Sequence, residues 1–217
     1  MLDIACGPGY HARAFASRGV QAVGLDLRPE MIDFAHEKDQ AAGVSITLIP
    51  ADMRDFELDT AVDVALAAFD GIDALLSNED LIHHLQAVAR NLTPGGLYVV
   101  DLTHPRDCSY DHYGSFHYSG ERDGVKVDIE WAINDPHYDL VTSVAYVELQ
   151  MHIQDHEQEY LVKDAARERL LLPQDIRLLA ELSGSLKVAG WHGDFDLNQP
   201  LDNSPASRRM IAILQKV

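Results

Sequence analysis

The chain is poor in cysteine, in tryptophan and in basic residues, and it has no long apolar run. Cys6 and Cys108 are its two cysteines. Cys6 stands inside a glycine-rich turn, which disfavours a structural disulfide, and neither thiol has neighbours at metal-ligand spacing. Lysine and arginine total 17 against 35 aspartates and glutamates, a formal charge of −18. The acidic excess is spread along the chain and opposes binding to nucleic acid phosphates or anionic lipid. No segment approaches the roughly 20 apolar residues of a membrane span, and the N-terminus lacks the basic-then-apolar pattern of a secretory leader. The expectation is a cytoplasmic protein whose partner is a small molecule. Internal repeats and low-complexity tracts are also missing.

What is present is the grammar of an α/β fold. With 47% hydrophobic residues, the 217 residues can bury a substantial core, and this length suits one domain, or one domain with an insertion. Short apolar runs at about 2–5, 20–25, 45–49, 62–69 and 97–102 alternate with helical patterns at about 11–17, from Pro29 to about 42, and from a Ser77 or Asn78 cap to about 92. That alternation predicts parallel strands with helices on both faces, and the run at 62–69 is expected to be buried on both sides. From 108 to 163 polar and apolar residues alternate, with turn signals at Asp123-Gly124 and Asn134-Asp135-Pro136, so antiparallel hairpins are predicted. A helix returns at Pro173 and stops at Gly184. The last apolar runs, 186–195 and 209–214, have no helix between them, so the sheet should end in an antiparallel hairpin.

The residues Asp3-Ile4-Ala5-Cys6-Gly7-Pro8-Gly9-Tyr10-His11-Ala12 join the first strand to the first helix, and Asp26 ends the second apolar run. Glycines let a backbone approach a ligand, and an acid at the end of the second strand chelates ribose hydroxyls. Hydride transfer with a dinucleotide and methyl transfer from S-adenosylmethionine both use this layout, and the Gly-x-Gly spacing alone does not separate them. Three features favour methyl transfer. Asp3 puts a carboxylate in the first strand, which suits a ligand carrying an ammonium group. Asp52-Met53 follows the third strand, pairing an acceptor for an adenine amino group with a polarizable thioether for the ring. The terminal hairpin replaces a further crossover.

With these motifs the chain resembles the class I S-adenosylmethionine-dependent methyltransferase superfamily, in its small-molecule, amino-sugar N-methyltransferase-like group. Leu2 to Ala12 resembles the first motif, Gly24-Leu25-Asp26-Leu27 the second, Ala51 to Phe56 the third, and Leu92-Thr93-Pro94-Gly95-Gly96-Leu97 the turn into strand five. The resemblance implies a Rossmann-like, seven-stranded, mostly parallel sheet ending in an antiparallel hairpin, with an antiparallel β insertion over 103–172 of a single domain, 1–217. It implies that Ala5, Cys6, Gly7 and Gly9 hold the methionine end of S-adenosylmethionine, supported by Asp3. Asp26 and Leu27 would serve ribose and adenine, Asp52 and Met53 the adenine edge and face, and Ala67 to Phe69 the sulfonium. The product would be S-adenosylhomocysteine, made by in-line methyl transfer to N or O of a small acceptor. The Asn/Asp-Pro-Pro-aromatic signature of nucleic-acid amino-methyltransferases is absent, Phe69-Asp70-Gly71-Ile72 standing in its place.

No catalytic residue stands out, because an unprotonated amine needs no base. Asp70, His104, Tyr110, His112, Tyr113 and Glu130 are the substrate-side candidates. His83 and His84 point about 100° apart on one helix and read as solvated or packed, and no metal site is expected. Family members carry a lid before the first motif, whereas this sequence opens in the first strand. A truncated start, a lid-supplying partner or homo-oligomer, or an open site is the matching expectation, each with weaker cofactor retention. A nicotinamide-dependent oxidoreductase and a non-catalytic subunit of the same fold are the alternatives.

Overall fold

A computed structural model describes all 217 residues. In chain order its elements are β1 (Leu2–Ile4), α1 (Tyr10–Ala16), β2 (Val23–Asp26), α2 (Pro29–Ala42), β3 (Thr47–Pro50), β4 (Val62–Ala67), α3 (Asn78–Asn91) and β5 (Leu92–Thr103). Then follow β6 (Cys108–Ser109), β7 (His112–Tyr113), β8 (Phe116–Arg122), β9 (Val125–Trp131), β10 (Val144–Asp155) and β11 (Gln158–Arg169). The chain closes with α4 (Pro173–Ser183), β12 (Leu186–His192) and β13 (Arg209–Lys216). Two compact units result: one of Met1–Ile72, Ser77–His104 and Leu172–Val217, the other of Asp73–Leu76 and Pro105–Leu171.

The first unit is built on a seven-stranded sheet in the order β12-β13-β5-β4-β1-β2-β3. Strands β1 to β5 are parallel, and β13 runs antiparallel to both β5 and β12. The predicted terminal hairpin is therefore present. Its core is aliphatic, with Leu2, Ile4, Leu25, Val100, Met210 and Leu214 buried along the strands, each side chain contributing roughly 1.5–3 kcal/mol on removal from water. The helix ends follow from local chemistry. Pro29 opens α2 and Gly43, at φ 66°, closes it. The Ser77 hydroxyl accepts the Asp80 N–H at 3.0 Å, and Glu79 and Asp80 in the first turn complement the helix dipole. No helix is long and apolar enough to cross a membrane.

Three boundaries and one burial pattern differ from expectation for physical reasons. β2 begins at Val23 because the Val20 N–H still bonds to Phe15 at the end of α1. β4 stops at Ala67 because Phe69 and Asp70 adopt left-handed backbone angles, φ 56° and 63°. β4 is also not buried on both faces: Ala65 and Ala67 are buried, whereas Val62, Val64 and Leu66 are half-buried and Asp63 is exposed. β5 begins at Leu92, its register with β4 jumping from Val62↔Leu92 to Val64↔Leu97, so Thr93 to Gly96 bulge out between the two pairs.

The second unit contains a four-stranded antiparallel sheet in the order β11-β10-β9-β8 and the small β6-β7 ladder. Asp123 and Gly124, at φ 52° and 80°, make the two-residue turn joining β8 to β9. Positive φ at both positions matches the strand twist and accounts for the predicted Asp-Gly signal.

Candidate functional site

The glycine turn sits at the carboxyl end of β1, next to β4, where the order of the sheet reverses direction. Ligands of open α/β sheets bind at such a switch point. Ala5, Gly7 and Gly9 all have left-handed backbones, φ 53°, 50° and 73°. A Cβ on Gly7 would meet nothing within 4 Å, so that face of the turn is open. The Cys6 N–H bonds to the Leu25 carbonyl at 2.9 Å and the Gly9 N–H to the Cys6 carbonyl at 2.9 Å. Cys6 packs under the turn, and burial pushes its thiol up to about 12, so it is inert as a nucleophile. Gly24 on β2 makes that packing possible: a Cβ there would stand 2.9 Å from Cys6 Sγ and 2.8 Å from Leu48 Cδ2.

Two carboxylates brace the turn. Asp26 Oδ2 accepts the Gly7 N–H at 2.8 Å, and its Oδ1 accepts the Arg28 N–H at 2.9 Å. Asp3, 1% exposed, accepts the Ala12 N–H at 3.0 Å. Burial raises the pKa of Asp3, opposed by that N–H and by His11, whose Nδ1 lies 3.9 Å away. Arg13 is consumed by Asp39 at 2.6 Å and by the Pro8 carbonyl at 2.8 Å. Around the turn, Tyr10, Leu27 and Phe69 are exposed by 63, 64 and 69%, a set of apolar surfaces following the carboxyl ends of β1, β2 and β4.

The second feature is the turn after β4, which sequence reasoning did not resolve. Its consecutive left-handed residues Phe69 and Asp70 cost about 1–3 kcal/mol each. The Asp101 carboxylate accepts the Phe69 N–H at 2.9 Å and the Arg209 Nε–H at 2.7 Å, while the Asp101 carbonyl accepts the Asp70 N–H at 3.1 Å. Arg209 also donates to Asp70 at 3.1 Å and to the Thr103 hydroxyl at 3.2 Å, and Asp70 accepts the Thr103 N–H. Asp70, a substrate-side candidate, is thus engaged in holding its own turn. A Cβ on Gly71 would lie 3.4 Å from Ala5 Cβ, so this turn and the glycine turn meet. A sequence signal for the missed residues existed: Asp101 is an acid inside an apolar run, and a buried carboxylate needs a partner.

The third feature follows β3. Asp52 accepts from the Arg54 amide at 2.9 Å and from its guanidinium at 2.6 Å, while Arg54 reaches Asp80 at 2.9 Å. Those bonds lower the Asp52 pKa. The Met53 carbonyl is held by His84, whose Nδ1 lies 2.9 Å away, and His84 Nε2 lies 2.6 Å from the Tyr98 hydroxyl. A carbonyl only accepts, so Nδ1 carries the proton and Tyr98 donates to Nε2. Burial lowers the His84 pKa to about 4, which keeps the ring neutral. His84 is a packed histidine, as expected, but it is also what ties the Met53 loop to β5.

Among the other substrate-side candidates, His104 is buried with Nε2 at 2.9 Å from the Asp202 carbonyl. In the second unit Tyr113 donates to Glu168 and accepts from Trp131 Nε1 at 3.3 Å, while the Tyr110 and Ser143 hydroxyls are 2.7 Å apart. Glu130 accepts from Gln150, and His112 is exposed on β7. Within that unit Tyr110, Tyr113 and Tyr138 form one aromatic cluster. Neither Glu130 nor His112 takes part in its ring contacts.

Comparison with known proteins agrees with this geometry. A family profile described as a methyltransferase domain matches residues 1–96. The dTDP-3-amino-3,4,6-trideoxy-alpha-D-glucopyranose N,N-dimethyltransferase of Streptomyces venezuelae is 33% identical over 101 residues, 46% of this chain and 41% of that protein. The cypemycin N-terminal methyltransferase of a Streptomyces species is 29% identical over 107 residues, 49% of this chain and 43% of that protein. These matches span less than half of either relative. Among solved structures, an S-adenosylmethionine-dependent methyltransferase of Clostridium acetobutylicum superposes with a TM-score of 0.80 at 19% identity, covering 99% of this chain and 82% of that one. DesVI of Streptomyces venezuelae gives 0.77 at 23% identity, covering 98% and 81%. At these identities the superpositions establish the fold.

Proposed function

We propose that the chain, which shares the fold of S-adenosylmethionine-dependent methyltransferases, is one in activity, moving a methyl group to nitrogen of a small amino-bearing acceptor, an amino sugar first among them. The observation that carries this reading is the braced turn. Asp26 ties Gly7 to the end of β2 with Asp3 buried below, and Arg13 is neutralised by Asp39. Asp26 would serve a ribose in either cofactor, but Arg13 beside the turn is neutralised by Asp39 and offers little charge to a pyrophosphate, which disfavours the nicotinamide reading. The amino-sugar N,N-dimethyltransferases among the relatives support the acceptor class.

The residues present suit the cofactor. The open backbone of Ala5 to Gly9 would hold its methionine end, Asp26 its ribose, Leu27 and Met53 its adenine, and Ala67 to Phe69 the region of its sulfur. Asp52 would act on the adenine edge by exchanging a contact with Arg54, which makes four hydrogen bonds to its two oxygens. When bound, the cofactor supplies an electrophilic methyl group. The chain's own part is alignment and exclusion of water, which in well-oriented reactions is worth up to roughly 7–11 kcal/mol. Asp101 and Arg209 set the backbone of the turn beside the glycine turn. No side chain is assigned as general base, consistent with an amine that arrives unprotonated. Residues 103–172 are taken as a substrate-side insertion of one methyltransferase domain, and the acidic chain as a cytoplasmic enzyme.

The test is incubation with methyl-labelled S-adenosylmethionine and a panel of nucleotide-linked amino sugars, amino-terminal peptides and phenols, read by mass spectrometry. Methylated amino sugar is the expected product. Methylation of phenols alone would overturn the acceptor class, and absence of any labelled product with binding intact would favour a non-catalytic role.

A further inference from the structure

The loop after β3 is fastened to α3 at two depths. Asp80, His84 and Asn91 recur at helical spacing and so lie along one face of α3. Two of them are buried and hold backbone: His84 the Met53 carbonyl, and Asn91 the Phe56 carbonyl at 3.0 Å and the Leu58 N–H at 2.8 Å. Nearer the surface one flexible side chain makes the connection. Arg54, 47% exposed, lies between Asp52 of its own loop and Asp80 in the first turn of α3, whose side chains are 33 and 31% exposed. The backbone of the loop is thus fixed from below, while the guanidinium above it can exchange partners.

The number of acceptor sites decides what that exchange does. A carboxylate offers about four lone-pair directions. Arg54 fills those of Asp52 through its amide at 2.9 Å, through Nε at 3.0 Å from each oxygen and through Nη2 at 2.6 Å. An adenine amino group is a donor, so it bonds to Asp52 only after the guanidinium has withdrawn. Asp80 is placed to receive it. Its oxygens accept from Arg54 Nη1 at 2.9 Å and from the Ser77 hydroxyl at 2.8 Å, which leaves capacity for a second guanidinium bond. Ser77 also accepts the Asp80 N–H at 3.0 Å, so this carboxylate is anchored at the helix start. Both acids are held below their usual pKa, chiefly by Arg54, and both therefore carry charge. A swing from Asp52 to Asp80 never leaves the cation without a carboxylate, and exposed ion pairs are weak enough to exchange. Resting on the S-adenosylmethionine reading above, we infer that Arg54 is a latch, closed over Asp52 before the cofactor arrives and carried onto Asp80 once the adenine amino group takes its place. Arg54 and Asp80 act through Asp52 as positioning residues. The latch selects for the amino group, because a ligand without it has nothing to offer the carboxylate that the guanidinium releases.

Isothermal titration of the full chain tests this with two probes, S-adenosylhomocysteine and its counterpart lacking the adenine amino group. Arg54→Ala uncovers Asp52 and should tighten S-adenosylhomocysteine about threefold to fivefold, the strength of an exposed ion pair, while the counterpart gains little. Asp80→Asn removes the receiving carboxylate, leaves Arg54 wholly on Asp52 and should weaken S-adenosylhomocysteine by a similar factor. In Arg54→Ala/Asp80→Asn there is no guanidinium to receive, so the double variant should bind as Arg54→Ala does. A structural role for Asp80 at the helix start would instead weaken binding in both backgrounds, and circular dichroism should remain native in all three variants. Weaker S-adenosylhomocysteine binding by Arg54→Ala, equal tightening of both probes, or an Asp80→Asn loss that persists without Arg54 would overturn the latch alone. Failure of the wild type to bind S-adenosylhomocysteine would overturn the cofactor reading and the latch together.

Discussion

The two units place their unusual backbone in different settings. In the antiparallel unit the left-handed residues Asp123, Ala132, Asp135, Ser143 and His156 fall in turns and connections between strands, where short-range bonds such as Asp135 N–H to the Ala132 carbonyl and Ser143 N–H to the Asp139 carbonyl support several of them. In the parallel unit Ala5, Phe69 and Asp70 sit at the ends of adjacent strands β1 and β4. Phe69 and Asp70 are held by groups distant in sequence, Asp101 and Arg209 above all, and beside Ala5 the Cys6 N–H is held by the Leu25 carbonyl of β2. β8 is exposed along its whole length and β11 along most of it, whereas the strands flanking the glycine turn are largely buried. Strain imposed by the surrounding fold marks the candidate cofactor site, and strain absorbed locally marks connection.

Removing Asp101 should break this distinction most strongly. Asp101→Ala leaves Arg209 with one fewer carboxylate and the Phe69 amide without its acceptor, so unfolding in urea should show a loss of about 4 kcal/mol. Affinity for S-adenosylhomocysteine should fall with it.

Acid should act next, through His84. Its folded pKa of about 4 lies below its ordinary value of 6.5. Between those pH values the unfolded chain binds the extra proton, so this contribution to stability is complete above pH ~7 and declines as pH drops toward 4, by about 3 kcal/mol. Denaturation midpoints measured across that range should fall for the wild type, and His84→Gln should flatten the slope.

Gly24→Ala should cost less, about 1–3 kcal/mol of overpacking against Cys6 and Leu48. Thermal unfolding checks the stability, and weaker S-adenosylhomocysteine binding would show that Cys6 had moved the turn. In the other unit, Lys163→Ala on exposed β11 should change stability by under about 0.5 kcal/mol and leave binding unaltered. A large effect there would erase the contrast between the two regions.

Much of this was legible in the sequence because the signals are local. Gly7 and Gly9 with Asp26 announce the turn and its brace, Ser77 and Pro173 open helices, Gly43 and Gly184 end them, and Asp123-Gly124 makes a hairpin. The loop of Asn, Pro, Asp and Ser before Arg209 excludes a crossover helix and gives the antiparallel end of the sheet. What stayed hidden depends on partners far apart in the chain. Asp101 and Arg209 are 108 positions apart, and only the sheet register, Arg209 beside Thr103, brings them together. His84 and Tyr98 look like ordinary helix and strand residues until packing stacks them under Met53. Arg54 on Asp52 is close in sequence, but nothing in the Asp-Met-Arg order predicts that the arginine folds back. The apolar run to Phe69 overreaches the end of β4 because Phe69 favours strand by composition, and the network that twists it lies elsewhere.

The most direct test of the central claim is isothermal titration of the purified full chain with S-adenosylhomocysteine and, separately, with NAD, repeated on Asp26→Asn. The account predicts that S-adenosylhomocysteine binds in preference to NAD and that Asp26→Asn weakens it about tenfold or more, the loss of charge-assisted hydrogen bonds to the ribose. Preference for NAD, or S-adenosylhomocysteine binding untouched by Asp26→Asn, would contradict it.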